Sequence, residues 1–188
     1  MKRKLISVFL GGLILFIWNA ISWMALPFHG DSLKNIPDSA LNAQILQEQL
    51  PRDGVYHFPG MPGGVNKRSL QEIEEHLATG PRITLMVYKS GSSELFNPNT
   101  FLLNLIFNLL SVAILLLLLD RLADKSFKNT LTSLLLIGLL IGLMSYLPQM
   151  NWYMFPFSYT LINVFDHIIA LGLLSLLFSF YTFKEKTS

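Results

Sequence analysis

The chain has no cysteine among its 188 residues. Disulfides, thiolate metal sites and cysteine nucleophiles are therefore excluded, and thiol usage says nothing about the compartment. Charge is scarce too: 14% of residues are Asp, Glu, Lys or Arg, where a soluble domain carries about a quarter. A net charge of +2 leaves no electrostatic footprint for nucleic acid. HExxH, GxSxG and a lysine-bearing phosphate loop are all missing, as is any internal repeat.

What the chain has in quantity is apolar sequence, 52% of residues, gathered into blocks instead of spread periodically. The first block runs uncharged from Leu5 to Phe28 behind Met1-Lys-Arg-Lys4. It is longer than a signal-peptide core and closes on no small-x-small cleavage site. Trp18 and Trp23 near its far end fit an interfacial aromatic belt, and Pro27 ends it. Further blocks span 98–119, 130–147 and 157–181. At 1.5 Å per residue each can cross a hydrocarbon layer of about 30 Å, the third only at the minimum length. The predicted fold class is an all-α polytopic membrane protein: one helix in residues 1–28, three in 98–188, and a small α/β segment over 29–97.

Within that segment Asn35 to Leu50 reads as a helix stopped by Pro51, and Gly54–Phe58 as a short strand. Residues 59–64 form a Pro- and Gly-rich loop with neither the lysine nor the Ser/Thr of a phosphate loop. Ser69-Leu-Gln-Glu72 is a capping box opening a helix that Gly80-Pro81 stops, and residues 82–89 form a second strand. Such a segment is too small to bury a core of its own and needs something to rest on.

Charge assigns the sides. The termini and the 120–129 loop carry Lys2, Arg3, Lys4, Arg121, Lys125, Lys128, Lys184 and Lys186. The loop between the last two spans is uncharged, and residues 30–97 hold six basic and eight acidic residues. The positive-inside rule then places both termini in the cytoplasm, the α/β segment outside, and the protein in a bacterial inner membrane.

Asp166 lies about 15 Å into the last span, where an ionisable side chain is expensive and points to a function. Asn163, Asp166 and His167 share broadly one helix face with Tyr159 and Ala170; Asn104, Asn108 and Ser111 share one on the second span, and Asn19, Ser22 and Trp23 one on the first. All lie in the outer halves of their spans, while the inner halves are nearly pure Leu, Ile, Val and Phe. Neighbours on a helix point about 100° apart, so Asp166 and His167 need separate partners. The plain structural reading, polar side chains satisfying one another at about 0.6 kcal/mol per bond, stands at even odds with a functional one.

Trp23, His29, His57 and Trp152 make an aromatic and imidazole rim for this cluster. His29, His57, Met24, Met61, Met150 and Met154 are the residues that suit a soft metal, but interfacial packing explains them more simply. No metal or cofactor is assigned. Gly138-x-x-x-Gly142 on the third span permits close helix approach, for which Gly11-Gly12 or Gly172 offer complementary small surfaces, but the spacing is common by chance in apolar sequence and ordinary tight packing is the favoured reading. With no complete catalytic constellation, the sequence points to a membrane accessory subunit that binds other membrane proteins through its outer segment and helix faces. The alternative is a small-molecule, lipid, quinone or proton site around Asp166 and His167.

Overall fold

The computed structural model describes residues 2–37, 39–60, 69–78, 80–91 and 96–183, without the side chains of Ser39 and Ala40. Met61, residues 62–64 of the Pro/Gly loop, and Lys184 and Lys186 lie outside the described residues. The chain divides into two compact units, one of residues 1–34 with 94–188 and one of residues 35–93.

In the first unit, helix α1 (Lys2–Ala20) continues through a wide π-type turn, Ile21–Ala25. Leu26 is extended, at φ −91° and ψ 142°, because Pro27 crowds a helical conformation out of the residue before it. Pro27 then opens the short helix α2 (Pro27–Ser32), where no backbone N–H is needed. Asn97 caps α5 (Pro98–Leu119) and Ser126 caps α6 (Phe127–Ile141), each side-chain oxygen accepting from a first-turn amide. A second wide turn, Gly142–Tyr146, joins α6 to α7 (Leu147–Tyr153), and α8 (Phe157–Leu177) ends in a third, Phe178–Thr182.

Among the described residues, four helical stretches are long and apolar enough to cross a membrane: Lys2–Ala25, Pro98–Leu119, Phe127–Tyr153 and Phe157–Thr182. The third outruns the predicted 130–147 at both ends. Pro148 does not stop it, because the wide turn ahead is closed by Leu147 N–H donating to Gly142 O, and Pro148 then sits in the first turn of α7.

Helix α1 packs on α5 and α8, and α8 on α6. Each pair is antiparallel. Lys4 meets Asp120 at 2.5 Å, and Phe16 stands edge-on to Phe101. Ser7 Oγ lies 2.7 Å from Thr182 Oγ1 at one end of the α1–α8 contact, and Ser22 donates to Asp166 near the other. Phe127 stacks on Phe180.

Gly138 and Gly142 pack tightly, as the favoured reading has it, but against α8 side chains and not against Gly11-Gly12 or Gly172. A Cβ at Gly142 would lie 2.9 Å from Val164 Cγ1, and one at Gly138 would lie 3.3 Å from Leu171 Cδ1 and 3.4 Å from Ile168 Cα. The glycines thus receive aliphatic side chains of α8, while Gly172 faces nothing within 4 Å. Gly11 makes room for Val112 and Leu174, and Gly12 for Leu109.

The interior mixes an apolar core, with Val112, Leu119, Leu134, Leu174 and Phe178 fully buried, and buried polar residues that include Ser7, Ser22, His29, Asn108, Thr130, Thr160, Asn163 and Asp166. Leu102, Phe107, Leu110, Ile114 and Leu117 line an exposed face of α5, an apolar surface that suits hydrocarbon.

The second unit holds α3 (Ser39–Gln49), β1 (Gly54–Phe58), α4 (Leu70–Leu77) and β2 (Ile83–Tyr88). The predicted helix begins at Ser39 instead of Asn35, after Pro37. The capping box forms as expected: Ser69 accepts from Glu72 N–H, and the Glu72 carboxylate accepts from Ser69 N–H. The strands pair antiparallel, with Val55 opposite Val87, Tyr56 opposite Met86 and, past a bulge, Phe58 opposite Ile83. Asp53 accepts from Lys89 and Ser90, and those bonds hold its carboxyl well below the usual carboxylate range.

Candidate functional site

The site lies where α1 ends and α5 and α8 begin. On α8, i,i+4 geometry places Thr160, Asn163, Asp166 and Ala170 in the interior. Asp166 is 8% exposed, and two elements provide its partners. Ser22, in the wide turn after α1, donates to Asp166 Oδ1 at 2.6 Å, a charge-assisted length. The proline break behind it folds α2 back against α8 and brings His29 Nε2 to 3.1 Å from Ser22 Oγ and 3.8 Å from Asp166 Oδ2. The His29 ring is 1% exposed and stacks on Trp23 at 3.9 Å between centroids.

Because Ser22 Oγ donates to the carboxylate, His29 Nε2 is the nitrogen that carries the hydrogen toward it. Nδ1 is buried with no partner among the described residues. Burial lowers the His29 pKa below its ordinary value, with the Asp166 carboxylate pulling the other way.

This is not a hydrolase triad. There the two ring nitrogens divide between serine and aspartate, whereas here Nε2 faces both. Ser22 is fully buried, with its hydroxyl between Asp166 and His29. The Ser22–His29 pair instead fixes the position of Asp166.

His167 takes a separate partner, as expected: its Nδ1 lies 2.9 Å from the Asn163 carbonyl oxygen, and its ring packs on Tyr146 at 5.3 Å. Asn163 in turn donates to the Tyr159 carbonyl at 2.8 Å. Asn19, Asn108 and Asn104 form a looser chain across α1 and α5, at 3.4 and 3.5 Å.

Two cavities meet at these residues. A chamber of about 350 Å³ is walled by Asn104, Asn163, Phe16, Phe101, Trp23 and Tyr146. A groove of about 400 Å³ runs from it between α5 and α6, lined mainly by Leu15, Ile114, Leu118, Ile137 and Leu171. Asn19, Asp166 and His167 stand in the walls of both.

The structure thus brings together Asp166, His167, Asn163, Asn104, Asn108 and Asn19, with Ser22 behind Asp166. Of the expected rim, Trp23 lines the chamber and His29 is buried against Ser22. Trp152 is 74% exposed and lines neither cavity, while His57 is an exposed strand residue of the other unit. Ser111 bonds the Phe107 carbonyl and borders the groove. Gly138 and Gly142 are packing residues outside the site. Sequence reasoning missed Tyr146 and the His29 contact, because both depend on wide turns that shift the helical register. The described residues contain no group of three or more His, Cys, Asp or Glu placed to hold a metal ion. Compared with known protein families, with curated proteins and with solved structures, the chain matches none of them.

Proposed function

We propose that this protein binds a membrane-resident amphiphile between α1, α5, α6 and α8, its apolar chain in the groove and its head group in the chamber beside Asp166 and His167. One observation carries the reading: an intramembrane carboxylate, held by Ser22 and His29, stands where a chamber of mixed polar and aromatic lining meets a more apolar groove. A carboxylate kept for packing alone has no need of a cavity, and intramembrane ionisable groups characteristically face one. The two volumes lie within the range of small-molecule sites. In the orientation that the basic loops favour, both termini are cytoplasmic, residues 29–97 are extracytoplasmic and the chamber is in the outer leaflet of a bacterial inner membrane.

A second reading, an accessory subunit of a larger membrane complex, rests on the sheet. Val55, Val87, Phe58 and Ile83 are all exposed on it, an apolar face suited to a protein partner. One measurement separates the two: native mass spectrometry of the protein after mild extraction. A lipid-sized adduct supports the amphiphile site, whether Asp166→Asn removes it, as for an amine head, or only weakens it, as for a polyol. A stoichiometric protein partner, retained in that variant and with no adduct, supports the subunit.

A further inference from the structure

The ligand's head group can be narrowed from the hydrogen-bonding capacity left over in the chamber wall. His167 Nδ1 bonds a backbone carbonyl, which only accepts, so Nδ1 carries the hydrogen and Nε2 of the neutral ring is left as an acceptor. Asn163 gives one amide N–H to another backbone carbonyl and keeps the second N–H and Oδ1. Asn19 gives one N–H to Asn108 and likewise keeps a donor and an acceptor. Asp166 accepts from Ser22 and has lone pairs to spare. The wall also offers donors, from the amides of Asn104, Asn163 and Asn19, the hydroxyl of Tyr146 and the indole of Trp23, so Asp166 and His167 Nε2 are the groups in it that can only accept. Among the described residues, no lysine or arginine lines either cavity.

Building on the amphiphile reading, we infer that the chamber selects a head group that donates hydrogen bonds and carries no anionic charge, as a long-chain polyol or amine does. A phosphate or carboxylate head would set its charge beside Asp166 with no cation to pair it, which is costly at low dielectric. An oxidised quinone, whose carbonyls only accept, would find donors in the asparagine amides but leave Asp166 and His167 Nε2 unanswered. Trp23, Phe16 and Phe101 add aromatic faces, against which an ammonium or the C–H face of a polyol packs favourably.

The test uses one chain with different heads. The full protein, with Trp18 and Trp152 replaced by Phe so that Trp23 alone reports, is placed in phosphatidylcholine nanodiscs. It is titrated with dodecylglycerol, dodecylamine and dodecyl phosphate, each expressed as its mole fraction in the bilayer. The glycerol and amine probes are expected to change Trp23 emission saturably, and to bind at least about tenfold more tightly than the phosphate. Asp166→Asn should weaken the amine about tenfold and the glycerol probe much less, since only the amine gains from the charge. Equal or tighter binding of dodecyl phosphate overturns the head-group inference and leaves the amphiphile site standing. Binding by none of the three overturns both. Should the variant fail to fold, the parent's order of affinities still decides.

Discussion

At the scale of single residues, His29 separates what the sequence makes visible from what it does not. Asp166 is conspicuous because a carboxylate ten residues into an apolar run has no cheap explanation. Ser22 is visible by depth, since helical rise places it level with Asp166. His29 is not: it follows a proline break and counts as an interfacial residue until the chain is seen to turn back onto α8. Its burial leads to a pH dependence. The folded state holds His29 below the ordinary 6.5, so as pH falls the unfolded chain takes up the proton first. Stability from this group is therefore complete above about pH 7 and declines as pH drops below 6.5 toward the folded value. Thermal unfolding in mild detergent from pH 8 to pH 5 should show a declining midpoint, and His29→Gln should flatten that slope. A slope that His29→Gln leaves unchanged would assign the dependence to another group.

At the scale of elements, most boundaries were legible because local chemistry sets them. Ser69-x-x-Glu72 forms its capping box whatever it packs against, and Leu26 takes the extended conformation that a following proline favours. The third span was misjudged because a proline signals a stop only when the turn before it is α-helical; the wide Gly142–Tyr146 turn lets the helix run on. Glycine spacing likewise revealed a close approach but not its partner, since a notch between small residues is filled by a protruding side chain and sequence does not say which. The contrast can be measured. Gly142→Ala drives a Cβ to within 2.9 Å of Val164 and should destabilise by about 1–3 kcal/mol through overpacking. Gly172→Ala meets nothing within 4 Å and should be neutral or stabilise by up to about 1 kcal/mol through helix propensity. Denaturant titration in detergent ranks the two, and a Gly142→Ala no worse than Gly172→Ala would mean that the α6–α8 contact is looser than described.

At the scale of the molecule, the number of spans follows from composition, but their arrangement does not. Helices α5 and α6 are joined by a short turn, yet a groove separates them, and the two contact through α1 and α8 instead. Nothing in the apolar runs encodes that opening, because lipid-facing and groove-facing leucines are chemically alike. Orientation, by contrast, is written in charges alone, and the cysteine-free chain suits its measurement. Single cysteines at the exposed positions His57→Cys, on β1, and Ala123→Cys, between α5 and α6, can be introduced without background. With eight basic residues on the terminal side and a net of about −2 over residues 30–97, an impermeant maleimide added to intact cells should label His57→Cys only. Ala123→Cys should react only after lysis. The reverse pattern would invert the protein and move the chamber to the inner leaflet, so its amphiphile would have to be drawn from cytoplasmic lipid.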